Sequence, residues 1–187
     1  MPKADSFKRC RLGQADTNSC LRYAVEDGFK QMRGGLSQFG VFPLEPLSIP
    51  SMDIETGGRS GPVSLIMHMK NLTVSGLGDS SILTYKENLK NFRTQCKTMT
   101  KEMRLSFRYT ADGRILVLPL RGGGPGLIVM KDLETMHYLS GVPVKKKDGR
   151  VYWNVKDYKV DFKPRIMTVK LDGLLQTNAN SDPRLGE

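Results

Sequence analysis

After its first forty or so residues this chain is written almost entirely in period two, and that pattern restricts it to a strand-rich fold. The proline-punctuated run VFPLEPLSIPSMDI (Val41 to Ile54) reads as extended chain entering a strand. From Val63 onward Leu65, Met67 and Met69 alternate with more polar neighbours, and the phase then switches to Leu72 and Val74. One extra residue exchanges the faces of a strand, so a bulge or bend is expected near Asn71. Met103, Leu105, Phe107 and Tyr109 alternate next; Asp112-Gly113 is an expected hairpin turn, and the chain returns as Ile115 to Leu120. Further strand runs cover Leu127 to Tyr138, Arg150 to Asp157 and Ile166 to Leu171. Long two-faced strands joined by hairpins predict a strongly curved antiparallel sheet.

One stretch has helical spacing instead. Leu21, Val25, Phe29 and Met32 share a face, Thr17 and Asn18 are available as caps, and Gly34-Gly35 supplies a stop. A helix is therefore predicted from about Ser19 to Arg33. The last residues, DGLLQTNANSDPRLGE, have loop composition. So many apolar strand positions need a covering layer, and one short helix supplies little of it. The expectation is a single, incomplete domain over residues 1–187.

Bulk properties exclude more than they select. The net charge of +10 raises a nucleic-acid reading. The basic residues are dispersed, however, and their one tight run, Lys145 to Arg150, surrounds a turn-like Asp148-Gly149 as solvated edge protection. No nucleic-acid partner is expected. No run of about 18 apolar residues points to a membrane span, and no signal peptide is visible at the start. The glycine-rich segment RGGGPG (Arg121 to Gly126) lacks the Lys-Ser/Thr of a phosphate loop and is followed by strand-like LIVM, so it is read as a bend between strands. His68 and His137 have no nucleophile or metal-ligand spacing around them, so no catalytic residue, metal or cofactor is expected and the chain is not read as an enzyme. Cys10 and Cys20 would close a short loop in an oxidising compartment and stay thiols in a reducing one, while Cys96 stands alone. Asn71-Leu72-Thr73 is an acceptor triplet for N-glycosylation.

Five blocks in register point to a family. FKRC with NSCLRYAVEDGF, then GVFPLEPLSIPSMDI, KNLTVSGLGDSSIL, SFRYTADGRILVLPLRGGGPG, and finally KDGRVYWNVKDYKVDFKP with VKLDGLLQTN resemble the insect juvenile hormone-binding and takeout proteins, from about Phe7 to Leu175. The resemblance implies an α+β fold: a strongly curved antiparallel β-sheet wrapping a long helix around an apolar tunnel, entered by a short N-terminal helix. Here the chain stops where the long helix would begin, so the C-terminus reads as truncated. The resemblance also implies a Cys10–Cys20 disulfide and a secreted, extracellular, monomeric carrier. Its partner would be one small hydrophobic ligand, a juvenile hormone-like terpenoid or a fatty acid, in physiology tied to feeding or circadian rhythm.

Within that reading, alternation nominates Leu65, Met67, Met69, Leu105, Phe107, Val117 and Trp153 as lining residues. Tyr109 and Tyr138 are the nominees for orienting a polar group of the ligand. The many strand methionines suit an adaptable pocket, since thioethers fill irregular apolar space. The competing reading is an interaction protein that uses its basic surface and takes no small ligand.

Overall fold

A computed structural model describes residues 6–11, 13, 15–57, 62–88, 90–116 and 118–174. Helix α1 (Thr17–Gln31) is followed by strands β1 (Leu47–Thr56), β2 (Val63–Ser75), β3 (Ser81–Asn88), β4 (Arg93–Ile115), β5 (Leu118–Lys145) and β6 (Val151–Leu171). The six strands form one antiparallel sheet in the order β1-β2-β4-β5-β6, with β3 paired to β4 off that path. The expected α+β class is the one found, and α1 is the one α-helix among the described residues.

The helix begins two residues before the expected start, and neither expected cap caps it. Asp16 holds the N-cap position, Thr17 Oγ1 donates to the Arg11 carbonyl at 3.2 Å, and Asn18 Oδ1 accepts the Glu87 amide at 3.1 Å. Asn18 is thus used to tie α1 to β3, helped by Arg22 donating to the Ile82 carbonyl at 3.3 Å. Gly35 (φ +83°) does end the helix, its amide reaching the Met32 carbonyl at 2.9 Å.

Two strand expectations are corrected. The hairpin turn is not at Asp112-Gly113, because β4 runs through both residues and the chain turns at Leu116 (φ 55°). Gly113 is required for close packing: a Cβ there would lie 2.2 Å from the Ser64 carbonyl oxygen. Likewise Arg121 to Gly126 is no bend but part of β5, where Gly126 leaves room for the Phe107 ring, 2.3 Å from a built Cβ. The runs read as separate strands after residue 118 are accordingly merged into β5 and β6. The phase switch at Asn71 is present: Asn71 has φ 53° and is exposed, while Met69 and Leu72 on either side are both buried. Asp148-Gly149 forms the β5–β6 turn, with Gly149 donating to the Lys146 carbonyl at 2.9 Å.

The chain packs as two compact units. Among the described residues, the first comprises those up to Leu47 with those of Ser75–Met103 and Val129–Met167, and the second those of Ser48–Val74 and Arg104–Ile128 with those from Thr168 on. In the first, Ile82, Cys96, Met103 and Leu133 are buried together with the hydroxyl-bearing Thr94, Thr98, Thr100 and Thr135. In the second, the core is Met67, Met69, Leu72 and Val74 of β2 with Phe107, Tyr109 and Ala111 of β4.

The two proline- and glycine-rich blocks of the sequence meet inside the first unit. Glu45 of PLEP accepts the Gly76 amide at 3.0 Å (Oε1) and 2.9 Å (Oε2), and the Gly78 amide at 3.0 Å (Oε2). Gly76 has φ +96°, and a Cβ there would lie 2.1 Å from the Glu102 carbonyl oxygen, so this position needs glycine twice over.

Candidate functional site

Helix α1 and the first unit's strands line an apolar cavity that is open to solvent on the β6 side, where Val155 and Tyr158 are exposed. Its volume is about 430 Å³, and its wall is Val25 and Phe29 of α1, Tyr85 of β3, Thr94, Cys96 and Thr98 of β4, His137 and Leu139 of β5, and Trp153, Val155 and Tyr158 of β6. A second cavity of about 280 Å³ adjoins it, sharing Phe29, Thr98, His137 and Tyr158 and continuing over Thr100, Leu133, Thr135, Val160 and Phe162. Period two explains the membership. Thr94, Cys96, Thr98 and Thr100 are alternate residues of β4, and Leu133, Thr135, His137 and Leu139 are alternate residues of β5. On β6 the phase slips between Val155 and Tyr158, which brings Tyr158, Val160 and Phe162 to the same wall.

No Lys, Arg, Asp or Glu lines either cavity among the described residues. Several polar groups of the wall are hydrogen-bonded, to one another or to Glu87, whereas the buried Trp153 Nε1 has no hydrogen-bond partner. Thr98 Oγ1 lies 3.2 Å from His137 Nε2, and the Tyr158 hydroxyl lies 2.7 Å from His137 Nδ1 with the two ring planes nearly parallel, 5° apart in orientation. Ser80 and Thr100 share a hydrogen bond of 2.7 Å. At the α1 end, Thr94 and Tyr85 both donate to Glu87 Oε2, at 2.5 and 3.3 Å. Burial lowers the pKa of His137, keeping the imidazole neutral, and raises those of Cys96 and Tyr158. Burial, with Glu87 close by, pushes Tyr85 up to about 12. The wall is therefore uncharged near neutral pH. It can receive an apolar molecule and offer it a few hydroxyls, and no charged acid–base pair lines it among the described residues.

Of the residues nominated from sequence, Trp153 lines this cavity. Tyr138 is on the other side of β5 from His137 and Leu139, with Lys159 5.8 Å from its ring centre. Met67, Met69, Phe107 and Tyr109 are buried in the core of the second unit, where Leu65 and Leu105 are half-buried. Tyr109 donates to the Asp172 carbonyl at 3.1 Å and packs edge-on against Phe107, so its hydroxyl is already occupied. Val117 lies outside the described residues. The second unit also holds a polar surface cleft of about 410 Å³ between Lys70, Arg108 and the Gly123-Gly124 backbone, with Asn71 exposed at its edge. His68 pairs with Asp53 at 2.8 Å on this outer face.

Cavity residues that sequence reasoning passed over have one cause in common. TQCKTMT on β4 alternates correctly, but its inward positions are threonines and a cysteine, which hide an inward face from an apolar count. The α1 face Val25/Phe29 was visible as an apolar stripe that had to dock, and it does so over the cavity. Cys10 and Cys20 are joined in a disulfide that ties the N-terminal segment to α1, and Cys96 is free and buried.

The family model for haemolymph juvenile hormone binding protein matches residues 2–186. The chain belongs to that family. Among curated relatives, the circadian clock-controlled protein daywake of Drosophila melanogaster is 29% identical over 183 residues, covering 92% of this chain and 67% of that protein. Daywake of Drosophila yakuba matches to the same extent. Among solved structures, Takeout 1 of Epiphyas postvittana superposes with a TM-score of 0.74 at 23% identity, over 89% of this chain and 73% of the other. The fold of this family member is thus the takeout fold.

Proposed function

We propose that this chain is a secreted carrier that encloses one small hydrophobic ligand, a juvenile hormone-like terpenoid or a fatty acid, in the cavity under α1. The observation that carries the reading is the uncharged cavity itself, walled by Phe29, Leu139, Trp153 and Val155 in a member of the haemolymph juvenile hormone binding protein family. Each methylene taken from water into such a wall contributes about 0.8 kcal/mol before the cost of association is subtracted. Binding by a monomer is sufficient. Passage through an oxidising compartment agrees with the Cys10–Cys20 disulfide, and Asn71 is then proposed as glycosylated, which enzymatic deglycosylation and mass measurement would show. Clock control, the property by which the daywake relatives are named, is proposed for this chain too and is read from transcript levels around the day.

The chain's single tryptophan makes the central test direct, because Trp153 lines the cavity. Titration with a C15 terpenoid ester or a long-chain fatty acid is expected to change Trp153 emission saturably and to displace an apolar dye in parallel. A chain that takes up neither dye nor ligand, yet is retained on an anionic polymer in a salt-dependent way, would replace the carrier reading with that of a basic-surface interaction protein.

A further inference from the structure

We infer that the bound molecule carries a neutral hydrogen-bonding group partway along its length, with an apolar arm on each side, and that Thr98, His137 and Tyr158 select it. This rests on the carrier reading above and specifies its ligand class. Two cavities, about 430 and 280 Å³, adjoin at four residues, and three of those four are the hydrogen-bonded chain Thr98–His137–Tyr158. The fourth, Phe29, is apolar. Beyond the junction the larger cavity is bounded by such residues as Val25, Leu139 and Val155, and the smaller by Leu133, Val160 and Phe162. An elongated molecule filling both would place its middle, not its end, against the three polar groups.

The chemistry of the junction sets what that middle can be. A neutral imidazole is a donor at one nitrogen and an acceptor at the other. With the proton on Nδ1, His137 donates to Tyr158 and accepts from Thr98, leaving the Tyr158 O–H free to donate to a ligand carbonyl or ether. With the proton on Nε2 the chain reverses, and the Tyr158 oxygen accepts from a ligand hydroxyl. Either tautomer satisfies both ring contacts of 2.7 and 3.2 Å, so the exposed Tyr158 can serve a ketone, ester, ether or alcohol without breaking either contact. A carboxylate or ammonium at this junction fits poorly, because no group of opposite charge lines either cavity among the described residues, so of the two ligand classes proposed above the inference favours the neutral terpenoid over the fatty acid.

The test walks one carbonyl along a fixed chain. Methyl tridecyl ketone and diheptyl ketone have the same formula, but the first has its carbonyl near one end and the second at the centre. Dye displacement by each, with pentadecane as reference, is expected to favour diheptyl ketone by about fivefold, the value of one net hydrogen bond. Tyr158→Phe and Thr98→Val should each bring the ratio of the two ketones toward one, whereas Tyr152→Phe, at the β5–β6 turn and outside both cavities, should leave it unchanged. Two equal ketones in the parent protein, or a preference that survives Tyr158→Phe, overturns the inference while leaving the carrier reading intact. Failure of the dye, both ketones and pentadecane to bind at all overturns the carrier reading itself.

Discussion

Removing the carboxylate of Glu45 should loosen the first unit more than any other change to a half-buried polar side chain described above. Its two oxygens receive three contacts of 2.9–3.0 Å from two backbone amides, those of Gly76 and Gly78. Gly78 is buried and Gly76 half-buried, so neither amide can simply turn to water. A hydrogen bond to a charged acceptor contributes about 1.5–3 kcal/mol net, and an orphaned donor costs about 1–3 kcal/mol. The contacts share an acceptor and are not additive, which places Glu45→Ala near 3 kcal/mol of lost stability. Glu45→Gln is the sharper variant. Oε2 alone reaches both amides, so an amide oxygen placed there keeps two bonds, but its NH₂ then faces the Gly76 N–H as donor against donor. A loss of about 1–2 kcal/mol is expected for Gln, between parent and Ala. Urea unfolding followed by far-ultraviolet circular dichroism measures both, with an unchanged m-value showing that the unfolded state is comparable. If Ala and Gln were equally destabilised, or if Ala lay within about 0.5 kcal/mol of the parent, the carboxylate would not be what joins the two blocks.

Two further outcomes follow from the cysteines and from His137. Non-reducing mass mapping should show Cys10 bonded to Cys20, and denaturation without reductant should leave Cys96 as the one thiol that alkylates; finding Cys10 and Cys20 free would refute the pairing. Removing the pair as Cys10→Ser with Cys20→Ser should cost about 2–3 kcal/mol on the loop-entropy model. Burial lowers the His137 pKa below its unfolded value, so the unfolded chain binds more protons there as pH falls through about 6.5. Stability from this site is therefore full above that pH and is lost as pH falls toward the folded pKa. His137→Asn should flatten that part of the stability–pH curve, and an unaltered curve would show that His137 is not the group responsible.

Alternation and turn chemistry made much of the architecture legible in the sequence alone. The β2 bulge at Asn71, the Asp148-Gly149 turn, the amphipathic stripe of α1 and the strand-rich α+β class all depend on local spacing, which side-chain geometry enforces residue by residue. The family blocks were legible for a related reason: Glu45 and Gly76 are constrained by a contact that few other residues could make. What the tertiary structure decided was which faces enclose space and which fill it. Met67, Met69 and Phe107 alternate as well as any lining residues, but they pack into solid core. The cavity opens instead where β4 presents threonines and a cysteine, opposite Phe29 and Tyr158. Even the role of the glycines was tertiary. Gly113 and Gly126 looked like turn and bend, but each lies within a strand and makes way for a neighbour distant in sequence, the β2 backbone in one case and the Phe107 ring in the other. Local spacing fixes the direction of each side chain, whereas the volume left between facing strands depends on what the distant partner puts there.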